Sequence, residues 1–155
     1  MFDVTITTQP ARRVAALAHI GPYNEIGGCF QRLNDLAAAR NLWPGTAGMT
    51  GIYHDDPDHV AASDLRAHAG LILQDGAALP DGLEMVDLPG GTYAALHYQG
   101  PYENIGPAWT HLFGTWLPAS GRTPTGTPCY ELYLNSPSNT APENLKTDIC
   151  LPLQG

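Results

Sequence analysis

Basic residues are scarce in this chain: 7 Lys+Arg against 15 Asp+Glu leave a formal charge of −8 over 155 residues. A surface that neutralises nucleic-acid phosphates needs a basic patch, so direct nucleic-acid binding is not expected. No apolar run approaches the roughly 18 residues of a membrane helix. The N-terminus MFDVTITTQP lacks a basic segment followed by an apolar one, so no signal peptide is expected either. Cysteine is limited to Cys29, Cys129 and Cys150, odd in number and without a C-x-x-C, which reads as reduced thiols of a cytoplasmic protein. No G-x-G-x-x-G, P-loop or G-x-S-x-G occurs, and no cofactor is expected. The stretch Tyr53-His-Asp-Asp-Pro-Asp-His59 has ligand-type side chains but no helical His pair and no Cys, so no metal site is expected from it.

What the chain does have is one phrase written twice. VAALAHIGPYNEIG begins at Val14 and YAALHYQGPYENIG at Tyr93, with eight of fourteen positions identical and an offset of 79 residues, Gly21 to Gly100. Downstream, GIYHDDP from Gly51 falls against ELYLNSP from Glu131, and DLRAHAGLIL from Asp64 against NLKTDICLPL from Asn144, both offset by 80. Separated blocks that keep register to within one residue imply a tandem repeat.

Each copy reads as strand, helix, strand, strand. A β-branched strand interrupted by Pro leads to Gly-Pro, punctuation that ends a strand and opens a helix. Ile105, Trp109, Leu112 and Trp116 form one apolar stripe, as do Ile26, Phe30, Leu33 and Ala37. The helices are expected to stop near Trp43-Pro44-Gly45 and Leu117-Pro118. Strands over Met49–His54 and Leu65–Leu73, then Pro128–Leu134 and Leu145–Leu153, complete the copies. The expected fold is α+β with antiparallel sheet, one domain over 1–155. Its modules span about 1–76 and 83–155, related by a pseudo-twofold axis with a groove between them.

Function is sought where the copies differ, since chemistry needed once can appear in one copy only. Glu131 stands opposite Gly51, and Trp109 opposite Phe30. Period two places Cys129, Glu131 and Tyr133 on one face of their strand and Tyr130, Leu132 and Leu134 on the other. If the second set faces the helix, Glu131 and Tyr133 point into the groove; otherwise Glu131 is an exposed strand Glu beside a chance Tyr. A carboxylate among aromatic rings suits a lipophilic cation or a poised general base. Trp109 reads either as helix core or as an aromatic wall. Tyr23 and Tyr102, present in both copies, read as packing, and Tyr98 is placed to reach the groove.

GTYAALHYQGPYENIGPAWTHLFGTWLP, followed by CYELYLNSP and LKTDICLPL, resembles the GyrI-like small-molecule-binding domain, also the effector-binding half of certain AraC-type and MerR-type regulators. The resemblance covers nearly the whole chain. It implies a ligand groove in which Glu131 meets cationic aromatic drugs, lined by Trp109 and Tyr133, with Tyr98, Tyr53 and Phe30 as further ligand-binding positions. The chain departs from those regulators in that the two modules use up its length, so no helix-turn-helix domain is expected and it reads as a stand-alone small-molecule-binding protein. Two alternatives come with the family. One is a hydrolase opening cyclopropane-type natural products, with Glu131 as base and Tyr133 assisting. The other is a protein that binds and inhibits DNA gyrase.

Overall fold

The computed structural model describes residues 2–155. Eight strands run β1 (Asp3–Gln9), β2 (Arg12–Ile20), β3 (Thr46–Tyr53), β4 (Arg66–Leu73), β5 (Glu84–Leu88), β6 (Gly91–Gln99), β7 (Cys129–Tyr133) and β8 (Lys146–Pro152). Helix α1 spans Gly27–Ala39. The second helical arm is α2 (Gly106–His111), a π-helical turn Leu112–Trp116 and α3 (Leu117–Ser120). This is the expected α+β class, and every strand pairing described below is antiparallel. Among the described residues, no helix is long and apolar enough to cross a membrane.

The chain divides into two compact units: a continuous one, Ala11–Pro89, and a discontinuous one made of residues 2–10 with Gly90–Gly155. In the continuous unit the strands lie in the order β3-β4-β2-β5, and in the discontinuous unit β1-β6-β8-β7. The two repeat one order of elements, with α1 and α2 beginning at Gly27 and Gly106, 79 residues apart, and β4 and β8 at Arg66 and Lys146, 80 apart.

The expected module limits of 1–76 and 83–155 are corrected here. β1 pairs with β6, Ile6 opposite Ala94, and β5 pairs with β2, Met85 opposite Ala15. Each unit therefore takes an outer strand from the other half of the sequence. Pro10 and Pro89 supply the reason. A two-residue hairpin needs positive φ at its first central position, which a proline ring forbids. The strands flanking each proline cannot fold back on one another, and the chain crosses over instead.

Helix α1 buries Cys29, Leu33 and Ala37 on one stripe against Ala15, Ala69, Leu71 and Leu73 of β2 and β4. It ends before Trp43, as expected, with Asn41 at φ 53, a left-handed position that Asn tolerates. In the other unit, Ala108 and Leu112 pack on Ala94, Leu96, Ile149 and Leu151. This arm runs past Leu117-Pro118, against expectation, and stops at Gly121, φ 71. The wider turn Leu112–Trp116 precedes the proline, where an i→i−4 ladder would have lost a bond and met the ring.

Candidate functional site

β7 carries the polar residue that sets the two units apart. Glu131 pairs with Ile149 and Tyr133 with Thr147, and Ile149 belongs to the core under α2. Cys129 packs on that same core, while Tyr130, one residue on, meets Tyr93 edge-on at 5.4 Å on the opposite face. Cys129, Glu131 and Tyr133 therefore lie on the helix-covered face, the reverse of the assignment under which Glu131 and Tyr133 would point away from the helix. Period two was right, but apolarity could not choose the side: Tyr130 is 0% and Leu132 8% exposed, so both faces of this strand are buried.

Glu131 is itself only 5% exposed. The Trp109 indole Nε1–H donates to its Oε2 at 2.7 Å, and the Tyr133 hydroxyl donates to its Oε1 at 2.7 Å. Both of these donors are neutral groups, an indole N–H and a phenol O–H. The Trp109 ring stacks on Phe113 with 6.0 Å between centroids and planes 3° apart, and Phe113 is 41% exposed. The Tyr133 ring meets Tyr102 edge-to-face at 5.4 Å. Burial raises the Tyr102 phenol above its ordinary pKa, and the Glu131 charge raises it further. Thr147, opposite Tyr133, has a buried Oγ1 without a hydrogen-bond partner among the described residues. Five side chains thus form a line, Phe113–Trp109–Glu131–Tyr133–Tyr102, opening to solvent at Phe113.

The remaining sequence candidates lie elsewhere. Tyr98 is 8% exposed in the core, and its hydroxyl donates to the Pro101 carbonyl at 2.7 Å, bracing the turn that carries Tyr102. Tyr53 and Phe30 belong to the continuous unit, where Tyr53 meets Tyr23 edge-on at 5.0 Å and Phe30 packs on the α1 core. The Tyr23–Tyr53 pair repeats Tyr102–Tyr133, while Gly51 stands opposite Ala69 where Glu131 stands opposite Ile149. Phe113 and Tyr102, which extend this cluster, were not among the expected ligand-binding residues. The spacing of Trp109 and Phe113, i to i+4, was the available signal for Phe113. Cys129 shares the face, but burial pushes its thiol up to about 12, so it offers no thiolate. A cavity of about 230 Å³ between the end of α1 and β4, lined by Leu42, Leu71 and Leu73 among others, has no charged side chain and no residue of this cluster in its lining.

The sequence profile of the GyrI-like small molecule binding domain matches residues 2–154. A DNA gyrase inhibitor of Yersinia enterocolitica is 33% identical over 135 residues, 84% of this chain and 84% of that protein. The structure of SAV2435 bound to tetraphenylphosphonium superposes with a TM-score of 0.71 at 16% identity, covering 99% of this chain and 94% of that one. EcmrR, solved in a DNA complex, superposes with a TM-score of 0.78 at 16% identity. That match covers 99% of this chain and 57% of the longer one.

Proposed function

The chain belongs to the GyrI-like small molecule binding domain family, and on that premise we propose that it binds lipophilic, aromatic cations through Glu131 and the rings around it. One observation carries the reading: a carboxylate 5% exposed, held by Trp109 and Tyr133, with two further aromatic rings in line. A buried carboxylate is costly to keep charged, and a cation that sheds water easily is the ligand best able to offset that cost. Ring faces add about 0.5–2 kcal/mol each to a cation lying over them. A small hydrated ion gains less, because it must be desolvated to reach the same place. The tetraphenylphosphonium held by a protein of the same fold supports this reading.

The test is a tryptophan-fluorescence titration with tetraphenylphosphonium and with its neutral analogue triphenylmethane, using wild type and Glu131→Gln. The cation is expected to bind at least tenfold more weakly to the variant, about 1.4 kcal/mol, with the neutral compound unchanged. Equal cation affinity in both proteins would refute the counter-charge role. The gyrase-inhibiting name of the Yersinia relative makes DNA supercoiling by gyrase a useful second readout of the same two proteins.

A further inference from the structure

Away from Glu131, within the continuous unit, three titratable side chains form a chain of their own. His54 follows β3, His68 lies on β4 and Glu84 opens β5. His54 Nε2 and His68 Nδ1 are 2.7 Å apart, with ring planes at 76° and centroids 4.9 Å apart. The other nitrogen of His68, Nε2, meets the Glu84 carboxylate. The His54 backbone is fixed by its N–H donating to the Arg66 carbonyl at 3.1 Å. Asp55 clamps the same strand end, accepting from the Arg66 backbone N–H and from its guanidinium, each at 2.8 Å. Asp55 is paired with Arg66, and Glu84 is the carboxylate in contact with the imidazole pair.

We propose that His54 and His68 form a bis-imidazole site for a divalent late transition-metal ion, with Glu84 as the carboxylate that orients His68. A metal takes the place of the single proton the two nitrogens share. His54 then carries its proton on Nδ1, and His68 keeps its own on Nε2, where Glu84 accepts it; this carboxylate–imidazole arrangement recurs at histidine-bound metals. Two metal–nitrogen bonds of about 2.0–2.1 Å place their nitrogens about 2.9 Å apart at a right angle and about 3.4 Å apart in a tetrahedron. The 2.7 Å seen here is nearer the first, so the rings need to swivel more than separate. Right-angle coordination is the preference of Cu(II) and Ni(II), which also stand high in the affinity order for nitrogen ligands. Among the described residues no group of three or more His, Cys, Asp or Glu side chains could hold a metal, so water or a small chelator completes the shell. His97, held between Thr5 at 2.9 Å and Asp148 at 2.7 Å, and the exposed His59, held by Asp56, are single imidazoles and serve as controls.

Tag-free full-length protein is titrated with Ni(II) by calorimetry, and its Cu(II) complex is examined by electron paramagnetic resonance. One ion per chain is expected, bound at least 30-fold more weakly by His54→Ala and by His68→Ala and about tenfold more weakly by Glu84→Gln. His59→Ala and His97→Ala should bind as wild type does. The wild-type Cu(II) spectrum should show two imidazole nitrogens, a readout that does not depend on any variant folding. A spectrum with one nitrogen, or affinity unchanged in both His54→Ala and His68→Ala, would overturn the site.

Discussion

Glu131 marks a position where residue-level reasoning named the side chain but could not choose its face. Its opposition to Gly51 singled it out, and the alternation along β7 grouped it with Tyr133. The core packing of Cys129 and the indole of Trp109, arriving from α2 to donate at 2.7 Å, show that the group lies under the helix. The charge of Glu131 can be read through its neighbour. Burial and the Glu131 anion raise the Tyr102 phenol, so the folded state holds that proton more tightly than the unfolded chain does. The resulting stabilisation is present below the ordinary phenol value of 10.0 and fades as pH rises through the folded-state value. In Glu131→Gln, ultraviolet titration of the tyrosines should show this phenol ionising at lower pH, because the repelling anion is gone. An unmoved titration would mean that Glu131 carries no charge in the folded protein.

At the scale of elements, close packing of strands decides which glycines are replaceable. A Cβ on Gly70 of β4 would stand 2.2 Å from Val14 Cγ1 and 3.3 Å from Thr50 Cγ2, whereas one on Gly28 of α1 would approach only the end of Arg32, at 3.9 Å. Gly70→Ala should therefore destabilise the protein by about 1–3 kcal/mol, since overpacking forces the backbone or Val14 to shift. Gly28→Ala should stabilise it by about 0.4–1 kcal/mol, because at a helical position with room for a Cβ the substitution lowers the entropy of the unfolded chain. Urea unfolding measures both, as midpoints moving in opposite directions with an unchanged slope. Matching shifts would mean that β2 and β4 do not approach as described. Nothing in AGLIL distinguishes Gly70 from a replaceable glycine, because the clash comes from Val14, 56 residues earlier in the sequence.

For the whole molecule, the decisive feature is the exchange of outer strands between sequence halves. Amide hydrogen exchange should group β1 with β6 and β8, and β5 with β2 and β4, following the pairing registers. Protection of β1 that follows β2 instead would contradict the crossover. By itself the sequence determined the α+β class, the repeated order of elements and the helix stripes, and it singled out Glu131, Trp109 and Tyr133 as candidates. These follow from periodicity and from comparing matched positions, both local properties of the chain. Tertiary structure alone decided which half owns β1 and β5, which face of β7 meets the helix, that Phe113 and Tyr102 extend the aromatic line, and that His54 meets His68. Each of these depends on strands or helices distant in sequence coming together, and where both faces of a strand are buried, the apolar pattern no longer records which neighbour lies on which side.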